Sequence, residues 1–180
     1  MALSQADRSL FDLRWQRSHA DLVQPLELLY GANPDFEIRL KALLLARWSA
    51  RPAELKDLDL RRDLQPDWFL SENMVGYVFY VDRFAGNFKG VLDHVDYLEY
   101  LGVTYVHFMP CLKPRPGESD GGYSVMDYRA INPLLGTMAD FEQVAKSLRH
   151  RGMSVCVDLV LNHTAKEHEW ATKARTGDAK

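Results

Sequence analysis

The sequence predicts an α/β chain in which an all-helical segment, residues 1–72, precedes alternating strands and helices over residues 73–180. Three observations carry this. Residues 1–75 hold a single glycine, Gly31, and the other ten follow it. Leucine runs the opposite way, with sixteen in residues 1–72 and nine afterwards. Leucine loses little entropy in a helix and glycine loses much, so the front favours helices. After residue 73, β-branched and aromatic runs alternate with helical apolar spacing, the signature of a parallel sheet with crossover helices.

In the front, Leu22, Val23, Leu26, Leu29 and Tyr30 recur at helical spacing, and Gly31 follows as a left-handed stop. Pro25 marks a first turn or a kink. A second helix starts near Pro34-Asp35, with Phe36, Leu40, Leu43, Leu44 and Trp48 as its apolar stripe, and Pro52 restarts a third through Leu55 and Leu58. Apolar stripes need cover, so this segment reads as a helical layer on a larger domain. Its apolar surface also offers a homodimer contact.

In the rear, Val75–Val81 reads as a buried strand. Val91, Leu92, Val95, Leu98 and Leu101 form a helix ended by Gly102, and Thr104–Met109 is the next strand. Thr137 and Asp140 spell a capping box for a helix carrying Phe141, Val144, Ala145 and Leu148, stopped by Gly152. Ser154–Leu159 is the third strand. Alternation puts Ser154, Cys156 and Asp158 on one face and Val155, Val157 and Leu159 on the other. The bulky face suits the covering helices, which leaves Asp158 pointing inward and in need of partners.

Composition narrows the function. The chain has 22 basic and 25 acidic residues and a net charge of −3, so nothing points to nucleic acid. No apolar run approaches the ~20 residues of a membrane span, and the start lacks the apolar core of a secretory signal. Cys111 and Cys156 are too few for a disulfide framework and read as reduced thiols of a cytoplasmic chain. His163 and Glu167-His168 brush against a zinc pattern, but the two histidines stand five apart, about 140° around a helix, so no metal is assigned. No phosphate-cradling loop, dinucleotide fingerprint or serine nucleophile turn is present, and no cofactor is expected.

Two loops carry chemistry. Pro110–Gly136 is 27 residues long with four prolines and four glycines, and it follows a strand. It reads as a functional loop at the carboxyl end of the sheet, where ligands bind. Its centre holds Ser119, Asp120, Gly121, Gly122, Tyr123, Asp127 and Tyr128: carboxylates to accept from hydroxyls, a flat aromatic face, and glycines that let backbone approach. These are the properties a sugar pocket needs. The other loop, Asp158 through Asn162-His163-Thr164, emerges at the same end.

Together these residues resemble the α-amylase superfamily (glycoside hydrolase family 13). The motifs are Gly122-Tyr123 with Asp127-Tyr128, Asn132-Pro133, Leu135-Gly136-Thr137 with Asp140-Phe141, and Asp158-Leu-Val-Leu-Asn162-His163. Pro66-Asp-Trp-Phe-Leu, Gly76 through Phe84, Ser119-Asp-Gly-Gly-Tyr123 and Asn162 through Trp170 narrow the resemblance to the amylosucrase and sucrose hydrolase branch. The resemblance implies the amino-terminal part of a (β/α)8 barrel, its first three strands, preceded by a helical domain. It implies cleavage of sucrose with retention and transfer of glucosyl to an α-1,4-glucan, an oligosaccharide or water. By motif, Tyr123 would stack on the glucosyl ring, Asp120 would line that subsite, and His163 would hydrogen-bond the sugar. Asp158 and Asn162 would support the site.

Retaining glycosidases need two carboxyls ~5–5.5 Å apart. In this family they follow the fourth and fifth strands, and Asp120, Asp127 and Asp158 match neither position. No catalytic residue is therefore assigned within the chain, which is expected to be an amino-terminal fragment and inactive alone. Two other readings stand beside the sucrose one. The first is another α-amylase-type glycosidase or a trehalose synthase. The second is a non-catalytic truncated barrel acting in binding or assembly.

Overall fold

The computed structural model describes residues 4–177. The chain divides into two compact units, Met1–Asp67 and Trp68–Lys180.

The first unit is three helices: α1 (Gln5–Tyr30), α2 (Pro34–Ala50) and α3 (Ala53–Leu64). α1 starts a full four turns before the periodic leucines, because the Ser4 side chain accepts from the Asp7 amide and caps it there. Pro25 lies inside α1, and Gly31 closes it at φ 77°. The α2 boundary follows its signals: the Asn33 side chain caps it and Pro34 opens it. Trp48 is buried, but Phe36, Leu43 and Leu44 are exposed. Within this unit Phe11, Val23 and Trp48 are buried, and Trp48 gathers the polar contacts. The Trp48 indole donates to the Asp7 carbonyl at 3.0 Å, and Arg14 and Lys56 lie over its ring. Around it, Arg51 grips both carboxylate oxygens of Asp59 at 2.6 and 2.8 Å, and Lys56 meets Asp7 at 3.1 Å.

The second unit opens with a short 3-10 turn, Trp68–Leu70. Its sheet contains β1 (Gly76–Phe79), β2 (Tyr105–Phe108) and, later in the chain, β5 (Ser154–Val157), all parallel and in the order β1-β2-β5. This is the α/β arrangement the sequence predicts, consistent with part of a (β/α)8 barrel. The strands are shorter than their apolar runs, since Val81 already begins α4 (Val81–Ala85). The helix expected over Val91–Leu101 is two pieces, α5 (Phe88–Leu92) and α6 (Val95–Tyr100), separated at Asp93-His94. α7 (Met138–His150) has the expected capping box, with Thr137 and Asp140 exchanging bonds.

The register sorts the sheet's two faces. Phe79, Phe108 and Val157 align across the sheet, and with Val106 and Val155 they pack with Phe88, Val91, Val95, Leu98, Val144 and Leu148 of the helices. Phe108 is fully buried, with Phe79 and Phe88 edge-on at 5.4 and 5.5 Å. The opposite face carries Val78, His107 and Cys156. Val78 is 58% exposed, so this face is open among the described residues. Leu159 departs from the expected alternation: β5 ends at Val157 and Leu159 is exposed.

The long connection is not a bare loop. β3 (Leu112–Pro114) and β4 (Val125–Ile131) pair antiparallel within it. Val125 and Ile131 are buried at the two ends of β4, and that burial is what turns a glycine- and proline-rich stretch into a hairpin. α8 (Glu169–Arg175) ends the described structure.

Candidate functional site

The site forms where the β3–β4 hairpin meets the end of β5. The hairpin turns through three consecutive left-handed residues: Asp120 at φ 53°, Gly121 at 64° and Gly122 at 93°. The two glycines are demanded sterically as well. A Cβ on Gly122 would stand 2.9 Å from the Pro110 Cβ, and one on Gly121 would stand 3.0 Å from the Tyr80 hydroxyl. Ser119 fastens the turn, its carbonyl accepting from the amides of Gly122 and Ser124 at 3.1 and 3.0 Å and its hydroxyl from Gly122 at 3.2 Å. Asp120 accepts from the Tyr123 amide through its backbone carbonyl at 3.1 Å. Tyr123 is the first residue out of this turn.

Tyr123 reaches back to the sheet. Its hydroxyl donates to Asp158 Oδ2 at 3.0 Å, and His107 Nε2 lies 2.9 Å from Asp158 Oδ1. Asp158 follows β5 directly, and His107 lies on β2 in register with Cys156. The inward acid thus finds the partners its burial requires, one on each carboxylate oxygen. Burial raises the pKa of the Tyr123 phenol, and the bond to Asp158 and the charges of Asp158, Tyr80 and Asp120 push it further up. The phenol therefore stays a donor at neutral pH. Burial, followed by the Asp158 charge, pushes the nearby Cys111 thiol up to about 11. That thiol is inert as a nucleophile.

A second set of bonds ties the hairpin to the loop after β5. The Tyr128 hydroxyl donates to the Val160 carbonyl at 2.6 Å and lies 3.1 Å from that of His163. The Ala165 amide donates to the Val125 carbonyl at 2.9 Å. Tyr128 is thereby committed to structure rather than ligand. Tyr128, His168 and Trp170 form an aromatic group beside a cleft of about 670 Å³. None of the five expected site residues lines that cleft.

Of those five, Tyr123 and Asp158 are bonded together, and the charge of Asp120 acts on the Tyr123 phenol. Asn162 and His163 are exposed on the next loop, and no hydrogen bond joins the His163 imidazole to the other three. His107 was not singled out from the sequence. The available signal was a lone imidazole on the inward face of an otherwise apolar strand. Among the described residues no three acidic, histidine or cysteine side chains gather to hold a metal ion, and no helix is long and apolar enough to cross a membrane.

The arrangement resembles known proteins. The sequence profile of the alpha-amylase catalytic domain matches residues 15–180. The trehalose-6-phosphate hydrolase of Escherichia coli is 35% identical over 117 residues, which is 61% of this chain and 20% of that protein. The trehalose synthase of a Pimelobacter strain is 35% identical over 119 residues, 62% of this chain and 20% of that protein. Among solved structures, the trehalose-6-phosphate hydrolase of Bacillus licheniformis superposes with a TM-score of 0.56 and 31% identity, over 63% of this chain and 21% of that one. The trehalulose synthase MutB of Pseudomonas mesoacidophila superposes with a TM-score of 0.52 and 34% identity, over 57% of this chain and 19% of that one. The chain thus spans about a fifth of the length of the relatives it matches. With most of its residues covered by that one profile and its parallel strands superposing on those enzymes, the chain belongs to the alpha-amylase catalytic-domain family.

Proposed function

We propose that this chain builds the glucosyl-binding part of an enzyme that cleaves or rearranges a glucose-containing α-disaccharide, by the retaining chemistry of its family. Tyr123, held by Asp158, supplies the flat face against the sugar ring. Asp120 and His163 supply hydrogen bonds to its hydroxyls, and Asn162 supports the loop that carries His163. The observation that carries this reading is the Tyr123–Asp158 bond at the carboxyl end of the parallel sheet. The paired nucleophile and acid/base are not among these residues, so the 180-residue chain binds without turnover. The helical residues 1–72 form one domain in this proposal and residues 73–180 the barrel part.

The relatives favour α-glucosidase or trehalose-type substrates, since the similar proteins include a trehalose-6-phosphate hydrolase, a trehalose synthase, α-glucosidases and several 1,6-glucosidases. Sucrose is the second reading. It rests on the Ser119-Asp-Gly-Gly-Tyr123 and Asn162 through Trp170 motifs, and on 34% identity to MutB, whose variant was solved in complex with the substrate sucrose. Calorimetric titration of the chain with trehalose, sucrose, maltose and isomaltose, alongside a glucose-release assay, tests the proposal. Binding of all four in the millimolar range with no glucose released is expected, because one subsite reads only their shared glucosyl unit. Binding of none removes the glucosyl assignment. Glucose release by the chain removes the claim that the reacting carboxyls lie elsewhere.

A further inference from the structure

We infer that His107 is a positioning residue: its Nε2–H locks Asp158, and through Asp158 it sets the pose of the Tyr123 ring. The inference deepens the glucosyl reading and rests on it for what the ring does. The geometry itself is independent of that reading.

Tyr123 is fixed at two ends. Its backbone leaves a turn of three left-handed residues, and its hydroxyl ends on Asp158 Oδ2 at 3.0 Å. The second end is only as firm as the carboxylate that receives it. An aspartate carboxyl turns about a broad, soft torsion unless both oxygens are held. Here the second oxygen faces His107 Nε2 at 2.9 Å. A carboxylate offers only acceptors, so Nε2 carries the proton and donates. The imidazole stands on a hydrogen-bonded strand, with its neighbours Val106 and Phe108 fully buried on the far face. His107 is therefore anchored to the central, doubly paired strand of the sheet and ties an aromatic ring on a loop to it. Its side chain and that of Asp158 remain 32% and 22% exposed, so the pair faces the open side of the sheet instead of the apolar core. A histidine kept for packing alone would need neither this tautomer nor this partner.

The test reads Tyr123 directly. The chain is labelled with 13C-tyrosine and 15N-histidine and followed by NMR, with methyl α-D-glucopyranoside as the sugar probe. In the unsubstituted protein, the His107 imidazole should carry its proton on Nε2 and shift when Asp158 is replaced in Asp158→Asn. His107→Leu removes the donor, and His107→Asn keeps an amide that falls short of Asp158. His107→Gln restores a donor near the Nε2 position. The Tyr123 ring signals should move or broaden in the Leu and Asn variants and return in Gln. Sugar affinity should fall roughly ten-fold in the first two and recover in the third, as for loss of one hydrogen bond to a charged group. A parallel sample with 13C-methyl leucine lets the Leu148 methyl signals report whether the core has survived each change. A proton on Nδ1 alone in the unsubstituted protein overturns the inference, whatever the variants do. So do Tyr123 signals indifferent to all three substitutions, or a Gln variant that behaves as Leu. If the unsubstituted chain binds no sugar while Tyr123 still follows the Leu, Asn, Gln order, the positioning role stands and the glucosyl reading falls.

Discussion

Gly122 shows how one residue fixes a site. Its φ of 93° and the 2.9 Å gap that a Cβ would leave to Pro110 both forbid a side chain. Gly122→Ala should destabilise the second unit by about 1–3 kcal/mol. It should also displace Tyr123, which chemical denaturation and the tyrosine ring signals would report together. Asp158 makes a pH prediction. Its carboxylate is one reason, after burial, that the Tyr123 phenol ionises above its ordinary range. Asp158→Asn removes that charge, so Tyr123 should ionise at a lower pH than in the unsubstituted chain while staying above an exposed tyrosine. Ultraviolet titration at alkaline pH, compared with a Tyr123→Phe variant, isolates that one phenol. An unchanged titration would mean that burial alone sets it.

At the scale of elements, the best-read helix is α7. Thr137 and Asp140 stand at the spacing of a capping box, and the structure has both bonds, Asp140 Oδ2 accepting from the Thr137 amide at 2.8 Å. Thr137→Ala should cost about 1 kcal/mol, seen as a lower thermal midpoint. The Thr137 hydroxyl and amide hold the Asp140 carboxyl below its ordinary pKa, with Lys89 helping. A depressed carboxyl stabilises the fold fully above its unfolded pKa, and that contribution is lost as pH falls through the folded value. The penalty of Thr137→Ala should therefore shrink as acid is added through the carboxylate range. The elements read less well are those whose signal is not periodic. Nothing in Gln5–Asp21 advertises a helix strongly by apolar spacing, yet the Ser4 cap starts one there. The β3–β4 hairpin was hidden for a different reason. Its pairing is interrupted by register shifts on either side of Lys113, so no clean alternation marks it.

For the whole molecule, the parallel sheet and its covered face were legible because Val106, Phe108, Val155 and Val157 alternate with polar or smaller neighbours. Of the candidate site, the sequence singles out Tyr123 in the long loop and Asp158 at the end of a strand, and the structure bonds them. His107 did not, because a histidine inside an apolar strand reads as packing until its register partner is known. In the helical unit, spacing gives the direction of the α2 stripe, and within the unit only Trp48 of that stripe is buried. The central claim is that a glucosyl ring lies on Tyr123. Saturation-transfer NMR with methyl α-D-glucopyranoside, irradiating the tyrosine ring protons, tests it most directly. The account predicts saturation on the sugar ring protons in the unsubstituted chain and its loss in Tyr123→Ala with the Leu148 methyl signals unchanged. Equal saturation in both proteins, or none in either, would contradict it.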